Sequence, residues 1–374
     1  MADLVTDVKP APQLKTGRWK RRLKWLGLSM LGLLLVTAFL LKDYVRTLQS
    51  LRRVPGTNAF VMDYYVNYHL DEIRQRGMDV KHLQDTCTET LFPDFLLPVM
   101  TCLKPLYFPK PVKTIDHTGD HCSTVVLRSS DDRVFFGRNF DYHNDVFLIL
   151  RAHDHQGLAS IAVVDLAYLN MNRKDLDQMG LLKRVTLLGA PFYLMDGMNR
   201  HGVAVADMAV PHAEPPVDPA KPSVIHSTLM RLIIDYAKNV DEAVELARSY
   251  NVSFVEVPVH LMVADASGES RVIEFNSGEL RITSGHESWQ LCTNHLVWQK
   301  SEQENDESCR RYQTGSELAA EVEQLDAQAA KRVIQSMSVK DFTMWTSLYD
   351  LKQLRASITY RMQTDREYRD SIPK

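Results

Sequence analysis

The residues with chemical capacity gather in one stretch. Asp120-His121-Cys122-Ser123-Thr124-Val125-Val126-Leu127 leads through the turn Ser129-Ser130-Asp131-Asp132 to Val134-Phe135-Phe136-Gly137-Arg138-Asn139-Phe140-Asp141. Two apolar β-type runs joined by a polar turn form a hairpin pattern. It sets a thiol at the start of one strand, with an arginine and a carboxylate at the end of the next, close in space. A guanidinium beside a thiol favours the thiolate, which is the nucleophilic form. A carboxylate nearby suits a cation such as an amine. The plainer readings are a Cys122 that is simply a small buried apolar residue and an Arg138–Asp141 structural ion pair.

The rest of the chain must position these groups. It has 374 residues, 45% of them apolar, a formal net charge of -3 and no basic block beyond the N-terminus. That suffices for a sizeable core and argues against nucleic acid as a partner. The five cysteines are Cys87, Cys102, Cys122, Cys292 and Cys309, with no C-x-x-C pair, which argues against a zinc ribbon. Their odd number leaves at least one thiol free if the chain is exported, and Cys122 is the candidate. Cys87 and Cys102 could bridge; Cys292 and Cys309 read as packing thiols. His153 and His155 have no distant ligand partners in the sequence, so no metal site is assigned.

Residues 1–24 form a polar tail ending in the basic cluster Lys15, Arg18, Lys20, Arg21, Arg22 and Lys24. Trp25 to Leu41 follows with no charge. Its 17 residues span ~25 Å as a helix, adequate for a bilayer with snorkelling flanks. The segment 25–41 reads as a transmembrane signal anchor, with the tail cytoplasmic and the body exported. A cleaved signal peptide or a buried hairpin helix is the alternative. Residues 43–90 read as helix and 91–121 as a Pro-rich extended connector; together 42–121 form a helical pro-segment or α-subunit before a domain spanning 122–374.

From Cys122 onward short strands dominate: 147–151, 158–166, 203–209, 260–264, 271–275, 279–283, 289–293, and a closing hairpin of 344–349 with 356–360. Helices are expected over 224–250, with Asp241 capping the second half, and over 315–338. Runs of strands with helical blocks and no βαβ alternation indicate an α+β layered fold.

Cys122-Ser123-Thr124, Gly137-Arg138-Asn139-Phe140-Asp141 and Asp196-Gly197-Met198-Asn199-Arg200-His201-Gly202-Val203 resemble motifs of the choloylglycine hydrolase group. These are N-terminal-nucleophile hydrolases of linear amides, including bile salt hydrolases, penicillin V acylases and, more distantly, acid ceramidase and N-acylethanolamine amidase. His260-Leu261-Met262-Val263-Ala264-Asp265 with Gly268 and Glu274, then Cys292-Thr293-Asn294-His295, then Ser308-Cys309-Arg310-Arg311-Tyr312 extend the resemblance to about residue 362. It implies an αββα sandwich and self-cleavage between His121 and Cys122. The free α-amine so created titrates near ~7.7–8.0 and can take the thiol proton at neutral pH. Arg138 would hold the thiolate, Asp141 the new ammonium and Asn294 an oxyanion; Arg311, or Arg310 one register away, would add charge. No cofactor is needed.

Two departures shape the substrate reading. The resemblance sets an oxyanion-binding asparagine at Ala209, which has no side-chain donor. Asp207, two residues earlier, would repel an oxyanion unless protonated; a backbone N–H could take over that duty. With Tyr142 these positions are the expected substrate contacts. The 80 residues between the apolar segment and Cys122 resemble the ceramidase branch, with Tyr64, Tyr65, Tyr68, Leu96 and Leu97 as an acyl groove. The expected activity is therefore a membrane-anchored amidohydrolase acting on small, lipid-like N-acyl amides. An acyltransferase on the same scaffold and a non-catalytic, membrane-tethered binding protein are the alternatives.

Overall fold

Strand alternation in the Cys122 hairpin decides what each face meets. Val125, Leu127 and Phe135 point one way; Cys122, Val126, Phe136 and Phe140 point the other. Both faces are apolar, so the sheet they belong to must be covered on both sides. The structure, a computed structural model, describes residues 16–79, 83–107, 121–143, 145–154, 157–175, 179–255, 257–286, 288–298, 307–363 and 365–373.

In chain order the helices are α1 (Thr16–Leu40), α2 (Lys42–Ser50), α3 (Leu70–Arg76), α4 (Leu83–Leu91), α5 (Leu97–Tyr107), α6 (Leu181–Thr186), α7 (His226–Tyr236), α8 (Val240–Arg248), α9 (Glu307–Ala320) and α10 (Ala327–Ser336). The strands are β1 (Arg52–Arg53), β2 (Ala59–Tyr64), β3 (His121–Arg128), β4 (Val134–Asp141), β5 (Phe147–Ala152), β6 (Ser160–Asp165), β7 (Leu194–Asn199), β8 (Ala204–Ala209), β9 (Ser223–Ile225), β10 (Asn251–Ser253), β11 (Val259–Ala264), β12 (Ser270–Asn276), β13 (Glu279–Ser284), β14 (Trp289–Cys292), β15 (Thr343–Asp350), β16 (Arg355–Tyr360) and β17 (Glu367–Ser371).

A six-stranded sheet runs β14-β3-β4-β15-β16-β17, and a nine-stranded sheet runs β1-β2-β5-β6-β7-β8-β11-β12-β13. Their facing sides share one core, with Phe136, Phe140, Trp345 and Tyr349 from the first meeting Phe147, Ile161, Met208 and Met262 from the second. The other side of the six-stranded sheet packs on α10 through Val125, Phe135, Leu348, Val333 and Ile334. Gly137 permits that approach, since a Cβ there would lie 3.1 Å from Ile334 Cβ. Helices α7 and α8 lie against strands β7, β8, β11 and β12 of the larger sheet. The layers are helix, sheet, sheet, helix.

The chain divides into two compact units, residues 1–46 and 47–374. In the first, α1 includes Arg21–Leu40, long and apolar enough to cross a membrane by length and composition. The uncharged run expected at 25–41 falls within it, bar its last residue, and residues 1–15 of the basic tail lie outside the described residues.

The segment before Cys122 corrects the sequence reading. Residues 43–90 are not one helix, because Ala59–Tyr64 is strand β2, buried along its whole length and parallel to β5. A strand buried on both faces has no period to betray it. Residues 97–107 form α5 rather than an extended connector. Pro98 sits in its first turn, where the missing N–H costs no helix bond. Pro109 and Pro111 lie outside the described residues. The expected 224–250 helix is two helices, with Asn239 and not Asp241 capping the second by accepting from Glu242 N at 2.9 Å. The expected 315–338 helix is likewise split, and Asp326 caps α10 through Ala329 N. Strand β17 was not anticipated. Cys87 and Cys102 are free thiols, one buried and one exposed.

Candidate active site

Strands β3 and β4 are antiparallel, with Cys122 opposite Phe140 and Thr124 opposite Arg138. Even-numbered residues of both strands face the larger sheet, so thiol and guanidinium enter the same interior. Arg138 Nη2 lies 3.7 Å from Cys122 Sγ. The same nitrogen donates to the Asp207 carbonyl at 2.9 Å and to its Oδ1 at 3.0 Å. Nη1 reaches Asp196 Oδ2 at 3.5 Å. Asp196 is in turn held by Trp345 Nε1 at 3.0 Å and the Tyr349 hydroxyl at 2.5 Å. The guanidinium also lies over the Phe140 ring, 4.6 Å from its centroid.

The backbone of Cys122 is gripped as firmly as its side chain. Its N–H donates to Asn294 Oδ1 at 2.7 Å, and its carbonyl accepts from Arg311 Nη1 at 2.9 Å. Arg311 Nη2 donates to the same Asn294 Oδ1 at 2.8 Å, while Asn294 Nδ2 donates to the Ala209 carbonyl at 2.9 Å. Two donors meet one end of the amide and an acceptor meets the other, which fixes its orientation. Asn294 therefore presents its oxygen to Cys122, and one of its two Nδ2 hydrogens goes to the Ala209 carbonyl. Arg311, not the exposed Arg310, is the inward arginine.

Asp141 ends β4, opposite His121. Its Oδ1 accepts from Thr343 Oγ1 at 2.5 Å, and its Oδ2 is buried without a hydrogen bond, 3.9 Å from Arg311 Nη1. Burial pushes its carboxyl up to about 7, against the pull of Arg311, Thr343 and Arg138. Burial likewise pushes the Cys122 thiol up to about 12, despite Arg138. With the 121–122 peptide intact, the sulfur has no α-amine to give its proton to. The His121 ring lies 3.4 Å from Glu307, on the opposite side of the strand from the thiol.

Cys122, Arg138, Asp141, Tyr142, Asp207 and Ala209 open on one small cleft of about 30 Å³. Its remaining walls are Phe140, Tyr168, Met195, His226, Val257 and Val259. Val210 N donates to Pro258 O, so strand alternation turns the Ala209 N–H away from β11 and toward the cleft side. Burial pushes Asp207 up to about 6, against Arg138. Its Oδ2 lies 3.6 Å from Nε2 of His226, a ring that burial pushes down to about 4.

The structure thus brings Cys122, Arg138, Asp141, Asn294 and Arg311 together and sets Tyr142, Asp207 and Ala209 on the same cleft, while the His121 ring faces away. It does not bring the expected acyl groove. Tyr64 donates to Leu188 O, Tyr68 to Asp235, and Tyr65 stacks on His153; with Leu96 and Leu97, none of them lines the cleft. His153 is occupied with Asp63, and His155 lies outside the described residues. Sequence reasoning missed Asp196, although it sits in a quoted motif, and also His226, Thr343, Tyr168, Met195, Val257 and Val259. These reach the site only through sheet pairing and helix packing.

A strand-borne cysteine whose own backbone nitrogen is held by a side chain, beside a buried arginine and carboxylate, defines an enzyme of the N-terminal-nucleophile type that works on carbon–nitrogen bonds of linear amides. A family model described as acyl-coenzyme A:6-aminopenicillanic acid acyl-transferase matches residues 127–363, and the chain belongs to this family, of the penicillin acylase and choloylglycine hydrolase type. No curated protein matches the chain. Among solved structures, penicillin V acylase from Agrobacterium tumefaciens is similar at 18% identity over 65% of this chain and 84% of that one, with a TM-score of 0.49. The R18L variant of conjugated bile acid hydrolase from Clostridium perfringens is similar at 12% identity over 67% and 92%, with a TM-score of 0.48.

Proposed function

We propose that the protein is a membrane-anchored, self-processing cysteine amidohydrolase of N-acyl amides with an apolar acyl group. The observation that carries this is the placement of the Cys122 backbone nitrogen. It sits against Asn294 Oδ1, beside a cleft that Cys122, Arg138 and Asp141 line together. Cutting the 121–122 bond turns that nitrogen into an amine at a site already furnished with an acceptor and a carboxylate. The amine then takes the proton from Sγ, which attacks the amide carbonyl; the tetrahedral adduct collapses with cleavage of the C–N bond, and the α-ammonium returns the proton to the leaving amine. The Ala209 N–H, with no asparagine side chain at that position, is the donor assigned to the oxyanion. The acyl-enzyme is released by water. The apolar cleft walls favour an apolar acyl chain, and α1 supports attachment to a membrane with the catalytic unit on the exported side.

A second reading passes the acyl group to an amine instead of water. The acyl-transferase description of the family favours it. The intact grouping of Cys122, Arg138 and Asp141 speaks against a purely binding protein. Mass spectrometry of the purified chain is the test: a fragment beginning at Cys122, absent in Cys122→Ala, together with amine release from N-acyl amides, is expected. An uncut chain without turnover overturns the reading. Acyl-enzyme offered water or amines separates hydrolase from transferase.

A further inference from the structure

Asn294 sits in a loop, so something must hold the loop. We propose that the buried pair His260–Glu274 is the positioning element that fixes Asn294 against the backbone nitrogen of Cys122. His260 lies on β11 and Glu274 on β12, both fully buried. His260 Nε2 lies 2.8 Å from the Thr293 carbonyl, and Nδ1 lies 3.2 Å from Glu274 Oε1. Glu274 Oε1 also accepts from Val297 N at 2.7 Å, and Oε2 from Trp298 N at 3.0 Å. One side-chain pair therefore takes hold of the loop on both sides of Asn294.

The hydrogen-bonding roles follow from the partners. A carbonyl oxygen only accepts, so Nε2 carries a hydrogen. Glu274 accepts from two backbone amides, and the second ring nitrogen, Nδ1, faces its Oε1. Although burial pushes Glu274 up, these hydrogen bonds and the His260 charge hold it below the usual carboxylate range. From the far side Thr293 Oγ1 contacts the Ser308 carbonyl at 3.0 Å and its Oγ at 2.8 Å, tying the loop to the helix that carries Arg311. The two residues touch neither Cys122 nor the cleft, so they act through Asn294.

The test separates the two ring nitrogens. In His260→Gln the amide nitrogen takes the place of Nε2 and keeps the bond to Thr293. In His260→Asn it takes the place of Nδ1 and keeps only Glu274. Expected in His260→Asn are faster hydrogen exchange at amides 294–298 and a kcat lowered roughly 10- to 100-fold with KM little changed. His260→Gln stays near wild type in both. Glu274→Gln, which loses one acceptor, speeds exchange at Val297 or Trp298 and keeps the test open if His260→Asn does not fold. Equal losses in the Gln and Asn variants, a loss falling on KM, or unchanged exchange overturns the proposal. The kinetic arm rests on the amidase reading above. A wild type without turnover sinks that reading, while exchange, measured in Cys122→Ser, still decides whether the pair holds the loop.

Discussion

Arg138 lies closer to Asp207 than to Cys122: 3.0 Å to the carboxylate oxygen against 3.7 Å to the sulfur. The charge that should favour a thiolate is thus shared with a neighbouring anion, and Asp196 takes part of it too. Asp207 is therefore a brake on the nucleophile. Asp207→Asn keeps the shape and an acceptor oxygen but removes the charge. It should raise the rate of Cys122 alkylation by iodoacetamide at neutral pH, by roughly threefold for each pK unit the thiol falls, because the larger thiolate fraction is partly offset by lower nucleophilicity. An unchanged rate would show that Asp207 does not act on the sulfur.

The uncut chain should lose stability as pH rises from about 4 to about 7. Burial raises the Asp141 carboxyl from its ordinary 3.8 to about 7, so the folded state prefers it protonated. A raised folded value gives stability that is present below the unfolded value and lost as pH climbs through the folded one. In the Cys122→Ala background, Tm should fall between pH 4.5 and pH 7.5. Asp141→Asn should reduce that fall by at least ~2 °C. Parallel Tm–pH curves for the two proteins would refute this. Once cleavage supplies an ammonium beside Oδ2, the carboxylate is the favoured form, and the same residue turns from liability to support.

After processing, the N-terminal fragment should stay attached. Strand β2 is inserted between β1 and β5 and pairs with β5 in register from Ala59–Phe147 to Tyr64–Ala152. Tyr64 and Tyr68 add buried hydrogen bonds to Leu188 and Asp235. Gel filtration of cut protein, in detergent and without denaturant, should give one peak holding both fragments. Separation without denaturant would contradict the sheet order.

Much of this site could be read in the sequence because its chemistry lies on a single hairpin. Residue spacing puts Cys122, Arg138 and Asp141 together, and most longer strands after residue 147 show in alternation and turns, whereas β7, β9, β10 and β17 do not. What escaped were features set by tertiary packing. Strand β2 is apolar on both faces and carries no period. His226 and Thr343 meet the site from elements far along the chain, with no local mark. Asn294 was found as a residue, but its orientation was not, because an amide's two ends differ only in what surrounds them. Asp207 was noticed for its repulsion of an oxyanion, yet its closer relation is to Arg138, which only the crossing from one sheet to the other reveals.

A space of about 30 Å³ accommodates no more than a couple of water molecules, far less than any N-acyl amide. The freshly folded chain is thus its own stopper. Some of the cleft walls would have to shift to admit such a guest. Bulky acyl chains should then be sorted at the doorway by how readily it yields, ahead of any bond being broken.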